Sequence, residues 1–169
     1  SEKSAIGEEY FRLADEKAGN NLLHRIVGRK LDFTEEPVLS GNVTAPENLF
    51  RFQSEVIRKL AAEESCVIMG RCADVVLTNN NIPHLSIFLS APFKERVKYE
   101  MGIAACDYKT ASAKVKTMDQ ERKNYYQYYT GRQWGYAGNY DLCVNTFFYG
   151  HDETIQVLYD MAELSCKKN

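Results

Sequence analysis

An arginine and an aspartate, three residues apart, follow a short apolar run near the middle of the chain. Residues 66–69 (CVIM) run without alternation into Gly70, Arg71 and Asp74. Such a run, ending in a turn signal, is typical of a parallel strand buried on both faces, and ligands in open α/β sheets bind beyond the carboxyl ends of these strands. Arg71 would then reach a ligand phosphate, with Gly70 leaving room for its approach. The alternative is structural: Gly70 ends a strand and Arg71 pairs with a nearby carboxylate.

Four charged residues of a long predicted helix share one flank, because they are spaced three and four apart. They are Lys116, Asp119, Arg122 and Lys123. Arg122 also falls in the apolar stripe that is predicted to face inward, formed by Ala111, Val115, Met118, Tyr125 and Tyr129. A buried guanidinium needs partners, which Asp119 and a ligand phosphate would supply. The alternative is a solvated, salt-bridged helix face.

Tyrosines are concentrated in the second half of the chain. Eight of the eleven lie between Tyr99 and Tyr140, most densely at 125–129 (YYQYY) just before Gly131. Core packing explains any one of these tyrosines. A basic, tyrosine-rich segment that ends in glycine also suits a hinged cover over a nucleotide.

Helices that alternate with short apolar strands predict an α/β fold with a largely parallel sheet. The strands are predicted at 66–69, 85–91 and 141–146, and the helices at 6–14, 21–27, 44–64, 73–77, 92–101, 108–129 and 151–166. Residues 44–47 have the spacing of a capping box, and Asp107 is a candidate cap for the long helix. Residues 29–45 are predicted to form an exposed loop. The inward side chains of the last helix are predicted to be Ile155, Leu158, Tyr159 and Ala162.

Composition limits the class of protein. A chain of 169 residues that is 44% hydrophobic can bury one core, so a single domain over 1–169 is expected. The net charge of −2 argues against a surface for nucleic acid. Residues 94–132 carry nine Lys and Arg against five Asp and Glu, whereas the rest carries twelve against eighteen. A basic segment on an acidic body favours a small anionic ligand over a polyanion.

Cysteine usage and hydropathy predict a reduced, cytoplasmic protein. The five cysteines include no CxxC pair, which argues against a zinc site or a disulfide framework. Neither a signal peptide nor an apolar run of the roughly 20 residues that span a bilayer is present in the sequence. Cys66 and Cys143 lie in predicted strands and are expected to be buried, whereas Cys106 and Cys166 are expected to be exposed.

Several spaced motifs match one known family in combination. They are 48–57 (NLFRFQSEVI), 67–74 (VIMGRCAD), 119–126 (DQERKNYY), 129–131 (YTG), 134–135 (WG) and 139–146 (NYDLCVNT). The chain resembles, over nearly its whole length, the cytidylate kinase-like family of P-loop phosphotransferases. The resemblance implies a nucleoside monophosphate kinase fold with a five-stranded parallel sheet and a helical, basic lid at about 102–138. It also implies transfer of the γ-phosphoryl group of ATP, with Mg²⁺, to a nucleoside monophosphate, CMP or dCMP being expected.

The resemblance implies roles for individual residues. Arg71 and Asp74 would hold the acceptor nucleotide, and Arg51 would approach its phosphate. Asp119 and Arg122 would be lid residues. We further expect Arg122 and Arg96 to contact the transferred phosphate and Lys116 to contact the substrate; no residue is assigned to a metal. Because this chemistry is positioning and charge neutralisation, these arginines matter more than any general base.

The chain departs from the family pattern at two places. No GxxxxGK[ST] or Gly-Ser-Gly-Gly run occurs in the 169 residues, so the first strand and the phosphate loop are expected to be missing from this chain. Little phosphoryl transfer is therefore expected from these residues alone. Met69 stands where bacterial cytidylate kinases have an aspartate, and the pair Cys72-Ala73 moves the acidic residue away from the arginine, which leaves the base specificity open. Two alternatives remain: a non-catalytic nucleotide-binding or interaction module, and a P-loop kinase for another small molecule. The oligomeric state is also open.

Overall fold

A computed structural model of the chain describes residues 46–167. Six α-helices and two strands lie in this range. They are α1 (Pro46–Glu63), α2 (Ala73–Asn79), β1 (Ile87–Ser90), α3 (Phe93–Ala104), α4 (Tyr108–Thr130), β2 (Leu142–Asn145), α5 (Thr146–Tyr149) and α6 (His151–Cys166), with a 3₁₀ turn at Ala137–Asn139. The predicted helices at 6–14 and 21–27, the loop at 29–45 and the Thr44 cap lie outside the described residues.

The described residues divide into two compact units. The first contains 46–82 and 121–133, and the second contains 83–120 and 134–167. Helix α4 contributes its carboxyl-terminal half to the first unit and its amino-terminal half to the second.

The core of the first unit is made by α1, α2 and the tyrosine-rich end of α4. Leu49, Phe50 and Ile57 are the buried apolar residues of α1. The rings of Phe50 and Tyr129 stack with their centroids 4.0 Å apart and their planes at 12°. Val75, Val76 and Leu77 of α2 are also buried. The predicted helices at 44–64 and 73–77 are therefore confirmed over the residues that the structure describes.

The second unit is built on a parallel strand pair. β1 pairs with β2 in a register that runs from Ile87 opposite Leu142 to Ser90 opposite Asn145. Parallel strands need a crossover connection, which α3 and α4 supply. Val97, Ala111 and Val115 form a core cluster between these helices, with Phe93, Met101 and Cys106 packed against it. The α/β expectation is confirmed to this extent: helices combine with a two-stranded parallel sheet within residues 46–167.

Local signals placed the helix ends well. Asp107 accepts a hydrogen bond from the backbone N–H of Thr110 at 2.8 Å, so the predicted cap of α4 is confirmed. Pro92 precedes the first residue of α3, and α3 continues to Ala104, three residues beyond the predicted end.

The predicted strand at 66–69 is wrong. Within the described part of the chain this segment joins no strand ladder, and Val67 and Met69 are 94% and 87% exposed. Cys66 is likewise exposed rather than buried. An apolar run becomes a strand only where neighbouring strands satisfy its backbone groups, and no described strand lies beside this one.

The predicted burial of Cys143 is also wrong, although its strand is confirmed. Val144 is buried whereas Cys143 and Asn145 are exposed, because successive side chains of a strand point to opposite faces. Of the two cysteines expected to be exposed, Cys166 is exposed and Cys106 is half-buried against the α3–α4 core.

The prediction of which side of the last helix is buried is wrong, because the less exposed side is rotated about the helix axis from the predicted one. Ile155, Tyr159 and Ala162 are exposed, and only Leu158 of the predicted set is half-buried. The less exposed side chains are Thr154, Val157, Leu158, Met161 and Ser165. Both sets fit helical spacing, and periodicity alone does not choose between stripes that overlap on one helix.

Shortening a buried side chain in the α3–α4 core should lower the stability of the protein. Val97 is fully buried, so Val97→Ala should lower the free energy of unfolding by about 2 kcal/mol through lost burial and a residual cavity. Ile103→Ala on the same helix is the matched control; Ile103 is 65% exposed, so its loss should cost less than about 0.5 kcal/mol. Urea unfolding measures both, and equal effects would contradict the packing described here.

The hydrogen bonds between Ser86 and Asp141, which directly precede β1 and β2, should make the stability of the protein depend on pH. The backbone N–H and the hydroxyl of Ser86 both donate to Asp141 Oδ2, at 2.8 and 2.7 Å, and hold the pKa of Asp141 below its ordinary 3.8. A lowered folded-state pKa stabilises the fold above the unfolded value, and this contribution is lost as pH falls through the folded value.

Thermal melts of Asp141→Asn should therefore differ most from the unaltered protein above about pH 5, and the difference should shrink as pH falls below 3.8 and through the lower folded-state pKa. Ser86→Ala, which keeps the backbone donor, should retain part of the pH-dependent difference. A difference that stays constant with pH would show that the charge of Asp141 contributes nothing.

Candidate functional site

A strained turn precedes α2 in the first unit. Gly70, Arg71 and Cys72 are three consecutive left-handed residues, with φ of 72°, 56° and 55°. This conformation costs a non-glycine residue about 1 to 2 kcal/mol. The turn closes with a hydrogen bond of 3.1 Å from the N–H of Ala73 to the carbonyl of Gly70. Strain of this kind is maintained by surrounding structure and concentrates at functional sites.

The turn has a buried anchor and an exposed tip. Cys72 is buried and stands directly before the first residue of α2, whereas Arg71 is exposed. A Cβ atom at position 70 would meet nothing within 4 Å, so the positive φ, and not crowding, is what favours glycine there. The exposed guanidinium of Arg71 is consistent with its predicted role towards a phosphate.

Asp74 lies in the first turn of α2 and is half-buried. Its Oδ2 atom accepts a hydrogen bond of 2.6 Å from the hydroxyl of Tyr126, on the part of α4 that belongs to the same unit. Arg51 is half-buried on α1. Three of the predicted site residues, Arg51, Arg71 and Asp74, thus belong to the first unit.

The predicted burial of Arg122 is wrong. Arg122 is exposed, and so are Lys116, Met118 and Lys123 in the middle section of α4. The buried stripe does not run along the whole helix: Ala111 and Val115 belong to the core of the second unit, whereas Tyr126 and Tyr129 belong to the first. An exposed guanidinium is solvated, so no energetic argument from burial supports Arg122. Its lid role stays a prediction.

The second unit holds three predicted site residues together. Arg96 Nη1 donates to Asp119 Oδ1 at 2.7 Å, and Arg96 Nε donates to the carbonyl of Ala91 at 3.1 Å. The guanidinium carbon of Arg96 and Nζ of Lys116 each lie 5.8 Å from the ring centroid of Phe93. Two cations therefore lie over one aromatic ring, at a distance at which both are attracted to it, and one of them is paired with a carboxylate.

The position of this cluster follows from the sheet. Ala91 directly follows β1, so Arg96 is fixed to the carboxyl end of a parallel strand, where open α/β sheets bind ligands. Its guanidinium is oriented by two acceptors and has further N–H groups, since guanidinium carries five. A net positive, preorientated cluster at this end of the strand can bind a phosphate.

Two contributors were not singled out by sequence reasoning. Phe93 precedes Arg96 by three residues in α3, a spacing that places the two side chains side by side on a helix. Tyr126 is one member of the tyrosine run, and nothing local distinguishes it from its neighbours. Of these two residues, only Phe93 could have been found from the sequence, by its helical spacing from Arg96.

The resemblance implies ATP and Mg²⁺ as cofactors, and the described residues bear on each of them differently. Arg96 and Lys116 are of the type that neutralises phosphate oxygens. Within residues 46–167, no three His, Cys, Asp or Glu side chains come together where they could hold a metal ion.

No helix in the same range is long and apolar enough to cross a membrane. The predicted absence of the phosphate loop concerns residues outside this range and stays a prediction.

Comparison with known proteins identifies the family. The sequence model of the cytidylate kinase-like family matches residues 1–147. The chain belongs to the cytidylate kinase-like family. Among solved structures, that of an uncharacterized protein from Eubacterium ventriosum is similar, with 32% identity and a TM-score of 0.56; the match covers 79% of this chain and 70% of that one. No curated protein matches the chain. Membership of the cytidylate kinase-like family indicates a nucleotide kinase-like role.

The Arg96 cluster should contribute to stability as well. Arg96→Met leaves Asp119 without its guanidinium in a half-buried position, so it should lower the free energy of unfolding by about 1 to 2 kcal/mol. Lys59→Met is the control: Lys59 and Glu63 form an exposed pair on α1, with side chains 54% and 59% exposed, and loss of such a pair should cost less than about 1 kcal/mol. Equal effects in urea unfolding would contradict the difference between the two pairs.

Proposed function

We propose that the protein transfers the γ-phosphoryl group of ATP to a nucleoside monophosphate, with CMP or dCMP as the preferred acceptor. The reaction breaks the bond between the γ-phosphorus and the bridging oxygen of ATP and forms a bond to an oxygen of the acceptor phosphate. The products are ADP and a nucleoside diphosphate. The family supports the class of reaction, and the acceptor is our inference from the sequence motifs.

The observation that carries the proposal is the Arg96 cluster. In phosphoryl transfer the protein itself does little covalent chemistry. Its main contribution is to position positive charge around the phosphates. Arg96 is held by Asp119 and the carbonyl of Ala91 at the end of β1, so its orientation is set before a ligand arrives. Preoriented charge stabilises a transition state without reorganisation at the moment of reaction.

The remaining roles are assigned by unit. In the first unit, Arg71 and Asp74 hold the acceptor nucleotide and Arg51 approaches its phosphate. In the second, Lys116 and Asp119 accompany Arg96 near the transferred group. Arg122 belongs to the lid at about 102–138 and contacts phosphate on closure. Mg²⁺ would neutralise charge on the phosphates of ATP when bound.

Titration calorimetry with CMP, dCMP, UMP, AMP and GMP tests the acceptor. We expect CMP or dCMP to bind tightest and Arg71→Met to weaken that binding by about tenfold or more, since a charged contact to phosphate is lost. Lys59→Met is the matched control, because it removes an exposed charge of the same unit whose partner among residues 46–167 is Glu63. Absence of binding by every monophosphate, or an unchanged affinity of Arg71→Met, would contradict the proposal.

Transfer itself is measured as ADP release with the product of the complete reading frame. The 169 residues contain no GxxxxGK[ST] run, so alone they should turn over more slowly than about 1 s⁻¹, the low end for kinases. Nucleotide binding without ADP release by the complete product would favour the non-catalytic module. ADP release with small alcohols in place of nucleotides would favour a kinase for another substrate.

A further inference from the structure

Three tyrosine hydroxyls of α4 reach three different acceptors in the first unit. Tyr125 donates to Gln53 Oε1 and Tyr128 donates to Glu47 Oε1, both at 3.2 Å. Both of these acceptors lie on α1. Tyr126 instead donates to Asp74 of α2, and its bond of 2.6 Å is the shortest of the three.

The Tyr126 bond also differs in its surroundings. The ring of Tyr126 is 5% exposed, so packing holds its hydroxyl in one place. A buried hydroxyl needs a partner, and an ionised carboxylate is a strong one. The acceptor is the side chain that the proposed function assigns to the acceptor nucleotide, two residues after the left-handed Cys72.

We propose that Tyr126 is a positioning residue, whose hydroxyl holds the carboxylate of Asp74 in the orientation that binds the acceptor nucleotide. This inference rests on the proposed function. Tyr126 acts through Asp74 and need not touch the nucleotide itself.

The physical basis is the orientation of a short side chain by a fixed donor. A carboxylate on the first turn of a helix is otherwise free to turn about two side-chain bonds, and ordering it on binding would cost conformational entropy. The Tyr126 hydroxyl removes that cost in advance. A carboxylate accepts at both oxygens, so one bond at Oδ2 leaves acceptor capacity for a donor group of the ligand.

The contact also ties α2 to α4 over 52 residues of sequence. Asp74 lies just after the strained turn that carries Arg71. A hydrogen bond that fixes the start of α2 therefore also constrains the conformation of that turn. Two of the side chains assigned to the acceptor nucleotide, those of Arg71 and Asp74, thus depend on one hydroxyl.

Tyr126→Phe tests the inference, because it removes the hydroxyl and keeps the ring. We expect it to raise the Kd for CMP by about tenfold, as lost preorganisation of a charged contact would. Tyr128→Phe is the matched control: it removes a hydroxyl of the same helix that also donates to a carboxylate, and it should leave the Kd unchanged. In ADP-release assays with the product of the complete reading frame, Tyr126→Phe should raise KM for the monophosphate and leave KM for ATP unchanged.

A double-mutant cycle shows whether Tyr126 acts through Asp74. In an Asp74→Ala background, adding Tyr126→Phe should change the Kd for CMP by less than about twofold, because the positioned group is already gone. A full tenfold effect in that background would overturn the inference, and so would an unchanged Kd for Tyr126→Phe in the unaltered protein.

The cycle also separates this inference from the function on which it rests. If the unaltered chain binds CMP and Asp74→Ala weakens that binding, the acceptor site stands, and a silent Tyr126→Phe then overturns only the role of Tyr126. If the unaltered chain binds no monophosphate, the proposed function fails and the positioning role fails with it. Equal weakening by Tyr126→Phe and Tyr128→Phe would reduce both hydroxyls to a structural contribution.

Discussion

One uninterrupted helix, α4, carries or contacts most of the candidate functional side chains. It runs for 23 residues, about 35 Å at the rise of an α-helix, from Tyr108 to Thr130. Lys116, Asp119 and Arg122 are on it, Arg96 is bound by Asp119, and Asp74 is bound by Tyr126. The Arg96 cluster therefore depends on the amino-terminal half of α4, and the Asp74 contact depends on its carboxyl-terminal half.

The two halves of α4 serve different cores, and this explains its unusual sequence. Small apolar residues, Ala111 and Val115, fill the space beside α3 in one unit. Large aromatic residues pack on Phe50 in the other, where the Tyr125 and Tyr129 ring centroids lie 4.7 Å apart. The charged section between them is largely exposed. A helix with two short buried stripes leaves the cations of its middle section exposed to solvent.

In both candidate clusters, a charged side chain is held in place by other protein groups before a ligand binds. Asp119 and a main-chain carbonyl orient Arg96, and a buried tyrosine orients Asp74. Such fixed polar groups bind and stabilise developing charge with less reorganisation than mobile ones. Phosphoryl transfer, whose bond changes occur within the substrates, requires this kind of contribution from a protein.

The sequence by itself determined five of the six described helices, all but α5, and the strand pair, because caps, turn residues and periodicity act over a few positions. The Asp107 cap and the bounds of α1, α4 and β2 are of this kind. The motif set also determined the family, and three predicted site residues, Arg96, Lys116 and Asp119, do lie together.

Tertiary structure alone decided which faces are buried and which distant side chains meet. Arg122, Cys143 and Tyr159 fit the patterns of buried residues and are exposed, and residues 66–69 have the composition of a strand without a described neighbour to pair with. Tyr126 finds Asp74 across 52 residues, although Tyr125 and Tyr128 are chemically identical to it. The physical reason is that burial and hydrogen bonding are properties of contacts between elements, and periodicity within one element does not specify the element it faces.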